Sequence, residues 1–101
     1  MKDFNEEFGE KLIDATKKGT TKDVKGLIDK KSDINYQDKN GDTPLIKACN
    51  KGRYEIVNLL LSANADPNIK NYISQSPLEI AKSKVNKYSL IIEKMTKMGA
   101  H

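Results

Sequence analysis

The chain has 101 residues and a formal net charge of +4, which leaves room for one small domain or about three units near 33 residues, and excludes two conventional domains. Leu, Ile, Val and Phe number 23 of 101, just above the roughly 20% below which a charged chain stays disordered, so the chain is expected to fold around a thin core. No apolar run approaches the ~18 to 20 residues that span a bilayer, and Met1-Lys2-Asp3-Phe4-Asn5-Glu6-Glu7 is acidic where a signal peptide is basic and then apolar. Neither membrane insertion nor Sec-type export is expected.

In chain order, Phe4, Phe8 and Leu12 stand at i, i+4 and i+8 and predict a long first helix. Gly19 closes it, and Thr20 with Asp23 can cap a second helix carrying Val24, Leu27 and Ile28. Asp38-Lys39-Asn40-Gly41 is a turn signal, because Asn and Gly tolerate positive φ. Thr43 followed by Pro44 is an N-cap and first helical position, predicting a helix from about Pro44 to Lys51 that buries Leu45, Ala48 and Cys49 and stops at Gly52. A further helix, about Tyr54 to Ala63, places Ile56, Val57, Leu60 and Leu61 on one face. Asn71-Tyr72-Ile73-Ser74 is a second turn, and Ser76-Pro77 with Glu79 is a second N-terminus with a capping box.

These elements repeat. A shift of 33 residues places Leu12-Ile13-Asp14-Ala15 on Leu45-Ile46-Lys47-Ala48 and then on Leu78-Glu79-Ile80-Ala81. Gly19 falls on Gly52, Asp33 on Asp66, Asn35 on Asn68, and Thr43-Pro44-Leu45 on Ser76-Pro77-Leu78. Helices of about two turns are not stable alone, so each pair must bury its apolar face against the next, giving a stacked solenoid with short hairpin fingers.

Gly41-Asp42-Thr43-Pro44-Leu45, Ala48, Gly52, Glu55-Ile56-Val57, Leu59-Leu60-Leu61 and Ala65-Asp66-Pro67-Asn68 resemble an ankyrin repeat. The resemblance implies an all-α ankyrin-repeat solenoid of stacked helix-turn-helix pairs with short β-hairpin fingers. The expected organisation is a single domain over residues 1–101, with an N-terminal cap at about 4–37, a central repeat at 38–70 and a C-terminal cap at 71–101. The third unit is longer by two residues, which places an insertion around Val85 to Tyr88 and puts Ile91, Ile92 and Met95 on its second helix's buried face. Where the central unit has Cys49 the third has Lys82, a charge that would be costly inside a stack. The expectation is therefore a terminal capping unit and a finished three-repeat stack.

Chemistry is sparsely provided. The one histidine is the terminal His101 and the one cysteine, Cys49, is expected to be buried, so neither a Cys and His catalytic pair, a disulfide nor a zinc site is expected. Asp33 and Asp66 recur with the repeat and read as turn acceptors rather than as an acid and base pair. Asp38-Lys39-Asn40-Gly41-Asp42 lacks the acidic ligands of a calcium loop, and there is no phosphate-cradling glycine loop. No catalysis, metal or cofactor is expected.

What remains is a binding surface. Exposed positions on the first helices should form a ladder of Lys17 and Lys18, then Asn50 and Lys51, then Ser83 and Lys84. Finger tips should add Lys39, Asn40 and Asp42 from one turn and Tyr72, Ile73 and Gln75 from the other. The resemblance implies that this concave face meets a protein partner, of acidic or mixed surface if the lysines take part. Tyr72 and Ile73 read either as an interface anchor or as packing against a neighbouring finger. Ile46, where ankyrin repeats often carry a linking histidine, reads either as a partner contact or as packing between repeats. The alternative function is electrostatic binding of nucleic acid or anionic membrane through the same lysines. It is weakened because the positive charges are 17 Lys and one Arg, and guanidinium makes the bidentate contacts that read phosphate and guanine. A monomer in a reducing cytoplasm is expected, with export lacking a Sec signal left open.

Truncating the core of the middle unit tests the stacking. Leu60→Ala is expected to cost ~2 to 5 kcal/mol, read as a large fall in the thermal midpoint; an unchanged midpoint would contradict a core at this position.

Overall fold

The computed structural model describes residues 4–29, 33–84 and 89–100, with side chains described from residue 6 onward. Six helices are present among them: α1 (Phe4–Lys18), α2 (Thr21–Asp29), α3 (Pro44–Lys51), α4 (Tyr54–Ser62), α5 (Pro77–Ser83) and α6 (Ser89–Lys97). They stack in two rows. One row runs α1, α3, α5, the other α2, α4, α6, and each pair α1/α2, α3/α4 and α5/α6 forms a rung between them.

The starts and stops follow local chemistry. Thr43 Oγ1 accepts the Ile46 amide at 3.1 Å and Ser76 Oγ accepts the Glu79 amide at 3.1 Å, each followed by proline at the first helical position. The Ser76 hydroxyl also donates to Glu79 Oε1 at 3.2 Å. Gly52 ends α3 in the left-handed conformation, its amide reaching the carbonyls of Ala48 and Cys49. Arg53, the one arginine, donates from Nη2 to the Lys17 carbonyl at 2.9 Å. Its fixed charge thereby sits at the C-terminal end of α1, where the helix dipole favours it.

The core is a set of repeated positions. Leu12, Leu45 and Leu78 are 0, 1 and 3% exposed, and Ala15, Ala48 and Ala81 lie beside them at 7, 0 and 0%. Small alanines let adjoining helices approach while the leucines fill the joint. Val24, Val57, Leu60 and Leu61 are buried along the second row. On α6 the repeat distance becomes 35: Ile91 and Met95 are buried and Ile92 is half-buried, matching Ile56, Leu60 and Val57. The expected insertion around Val85 to Tyr88 lies outside the described residues, as does His101.

Polar links repeat too. Asn35 Oδ1 accepts the Asp66 amide at 2.9 Å, and Asn68 Nδ2 donates to the Gly99 carbonyl at 3.2 Å. Asp33 and Asp66 each accept the amide two residues on, at 3.0 and 2.9 Å, as turn acceptors do. Ile46 is fully buried and so packs between repeats. Thr16, the first-unit counterpart of Cys49, is also buried and donates to the Leu12 carbonyl at 2.8 Å. Their third-unit counterpart, Lys82, is exposed. No helix among the described residues is long and apolar enough to cross a membrane.

Cys49 is fully buried, and burial pushes its thiol up to about 12, with the nearby Lys84 charge opposing the shift. The unfolded thiol ionises near 9.0, so the folded state holds this proton more tightly. Its contribution to stability is complete below pH 9 and falls as pH rises from there towards 12. Urea unfolding from pH 8 to about 10 is expected to show wild type losing up to ~1 kcal/mol more than Cys49→Ala over that range. Equal losses would mean that the thiol ionises freely in the fold.

Candidate functional site

Two fingers project from the starts of α3 and α5. In the first, Asp38 Oδ1 accepts the amides of Asn40 and Asp42 at 2.9 and 3.0 Å. In the second, Asn71 Oδ1 accepts those of Ile73 and Gln75 at 3.1 and 2.9 Å. One backbone bond closes the base of each, Asp38 N–H to Asp42 O and Asn71 N–H to Gln75 O, both 3.0 Å. The expected β-hairpins are therefore tight turns held by a side chain, and no strand ladder extends from them among the described residues. A five-residue loop whose amides are taken by one Asp or Asn has no extended backbone left to pair.

The fingers are stitched together. Tyr72 N–H donates to the Asn40 carbonyl at 3.1 Å, and Gln37 Nε2 donates to the carbonyls of Gly41 and Lys70 at 2.9 and 3.2 Å. Asn71 Nδ2 donates to Asp42 Oδ1 at 2.9 Å. The other Asp42 oxygen takes Lys47 Nζ at 2.8 Å, and Lys47 also lies 3.6 Å from Asp38. The hydrogen bond to Asp42 is the main reason the Lys47 ammonium is held above its ordinary pKa, against the desolvation that opposes it.

Asp42, expected at the tip, is thus 7% exposed and spent beneath it. A carboxylate this deep persists because a cation and an amide compensate it, and it positions the finger rather than presenting itself. Gly41 has φ 78°, and a Cβ added there would lie 2.7 Å from the Tyr72 ring. The counterpart in the second finger is Ser74, at φ 62°.

The five other finger residues come together with Asn50 from the end of α3. Lys39, Asn40, Asn50, Tyr72, Ile73 and Gln75 line one shallow groove, with Asp42 and Asn71 at its base. Tyr72 and Ile73 are 71 and 74% exposed, which decides against wholesale packing on the neighbouring finger.

The lysine ladder does not form one surface. Lys17 opens onto a separate concavity with Glu7, Glu10, Lys11, Asp14 and Asp38. Lys18 pairs with Asp14 at 3.0 Å and lines a cleft between α1 and α2. Lys51 is exposed and Lys84 half-buried, both outside the groove lining. The reason is the first unit: α1 continues as helix where a finger would begin, so Glu7 and Glu10 stand beside Lys17. Sequence reasoning missed the roles of Gln37, Lys47 and Asn71; the signal available was Asp38 and Asn71 at the repeat distance of 33, both able to make the same turn.

Paired helices in two stacked rows, with polar fingers along one edge, define a helical repeat solenoid. The chain matches the family profile described as ankyrin repeats (3 copies) over residues 10–98 and belongs to the ankyrin repeat family. It is 34% identical over 88 residues to oxysterol-binding protein-related protein 1 of Mus musculus, covering 85% of this chain and 9% of that protein. Similarity to an ankyrin repeat protein of Acanthamoeba polyphaga mimivirus is 34% over 71 residues, covering 70% of this chain and 44% of the other. The 2-5A-dependent ribonuclease of Mus musculus is 44% identical over 71 residues, 69% of this chain and 10% of that protein. This chain therefore spans about a tenth of the mouse proteins and under half of the viral one. Ankyrin repeats are generally non-enzymatic modules of protein–protein interaction.

The two fingers give a paired test of backbone strain. Gly41→Ala is expected to destabilise by more than ~1 kcal/mol, since it places a side chain both at positive φ and against Tyr72. Ser74→Gly is expected to stabilise by up to ~1 kcal/mol. Urea unfolding measures both, and a neutral Gly41→Ala would mean that the fingers do not hold this contact.

Proposed function

We propose that the chain is a protein-binding module that captures its partner in the groove between the fingers, acting as one monomeric domain of three units, about 4–37, 38–70 and 71–101, in a reducing cytoplasm. The observation that carries this reading is the exposure of Tyr72 and Ile73 at the mouth of a groove whose framework is internally satisfied. An aromatic beside a β-branched residue offers an interface anchor, and a framework already bonded loses little freedom when it binds. Lys51 and Lys84 extend a positive flank for acidic groups of a mixed-charge partner. The division of the lysines among separate environments favours a protein over a polyanion, which is bound best by a continuous basic stripe.

Tyr72→Ala is expected to weaken partner capture by at least ~1 kcal/mol without unfolding the domain, and Lys51→Glu with Lys84→Glu to weaken it further. Crosslinking and mass spectrometry in the source cell, with wild type and variants, provide the measurement. Unchanged crosslinked complexes in Tyr72→Ala would show the surface to be wrong. Steeply salt-dependent binding to DNA, RNA or anionic liposomes would instead favour the polyanion reading.

A further inference from the structure

The finger residues divide into two sets. Gln37, Asp38, Asp42, Lys47 and Asn71 are spent on one another and on backbone groups. Asn40 and Asn50 carry exposed side-chain amides that make no hydrogen bond among the described residues. Gln75 commits its Oε1 to Asn71 and keeps its amino group for the groove. A primary amide carries both a donor and an acceptor, the same complement as a peptide group. A row of such amides suits an extended backbone, whose N–H and C=O groups are not yet paired, better than a helix, whose groups are used internally.

Charge sets one of the occupant's side chains. Within the groove Lys39 has no carboxylate partner among the described residues, because Asp42 is neutralised by Lys47. Across the first finger the carboxylates are already engaged, Glu7 with Lys11, Asp14 with Lys18, Asp38 with Lys47 and Glu10 with the Tyr36 hydroxyl. Lys39 is therefore the charge the groove offers an occupant, and a basic residue placed beside it is penalised.

We propose that the groove takes a single extended segment of a partner protein, with an apolar side chain on Tyr72 and Ile73, its backbone on Asn40, Asn50 and Gln75, and an acidic residue beside Lys39. This rests on the finger-groove reading and adds the shape of the occupant and the charge it places beside Lys39.

Selection of a phage-displayed random peptide library on the full chain tests it. The expected consensus has one aromatic or aliphatic anchor and an acidic residue near it. Its synthetic peptide is expected to bind at least ~tenfold more tightly than the same peptide with that acidic residue replaced by lysine. Tyr72→Ala should weaken that peptide at least ~tenfold and Asn50→Ala several-fold, with circular dichroism unchanged because both positions are exposed. No enrichment, equal binding of the lysine-substituted peptide, or consensus binding insensitive to both substitutions overturns the proposal. If selection fails while Tyr72-dependent crosslinks to a partner persist in the cell, the extended segment is wrong and the finger-groove reading stands; if both fail, both fall.

Discussion

Helices of seven to nine residues gain too little from their own hydrogen bonds to persist in water, so every element after α1 exists by burying a face against the adjoining pair. That requirement places Leu12, Leu45 and Leu78 at equal positions in the joints, with Ala15, Ala48 and Ala81 beside them so the helices come close. It also makes the connections between units as important as the units. Asn35 to Asp66, Asn68 to Gly99 and Arg53 to Lys17 each carry a polar link across a joint. Lys82, the third-unit counterpart of Cys49, faces solvent.

The fingers depend on the same economy at smaller scale. Asp42 holds Lys47 with one oxygen and Asn71 with the other, so a single buried carboxylate joins the turn before α3 to the turn before α5. Polar groups consumed in this way cannot serve a ligand, and their consumption is what fixes Tyr72, Ile73 and Asn40 in a defined outward arrangement. The buried and proton-retaining thiol of Cys49 belongs to the packing between helices rather than to any reactive surface.

Much of the fold was legible because its causes are local or periodic. Thr43-Pro44 and Ser76-Pro77 announce helix starts, Gly52 a stop, and the 33-residue recurrence announces the stack. Counting from Gly99 placed Ile91 and Met95 inward despite a longer third unit. The candidate site was legible in part: the same recurrence collects the finger residues, and five of them line one groove with Asn50 of α3. Asp42 looked like a tip residue because its burial comes from Asn71, twenty-nine residues away. The lysines looked like a ladder because equal spacing says where residues fall along a helix and nothing about which carboxylates lie opposite.

From the sequence by itself, then, came the period, the helix ends, the core positions and the family, all consequences of short-range chemistry repeated at a constant interval. Only the tertiary structure decided which exposed groups remain available. Availability is a matter of partners brought together from different units, as Lys47 with Asp42 or Lys17 with its neighbouring carboxylates, and spacing along one chain does not contain those distances.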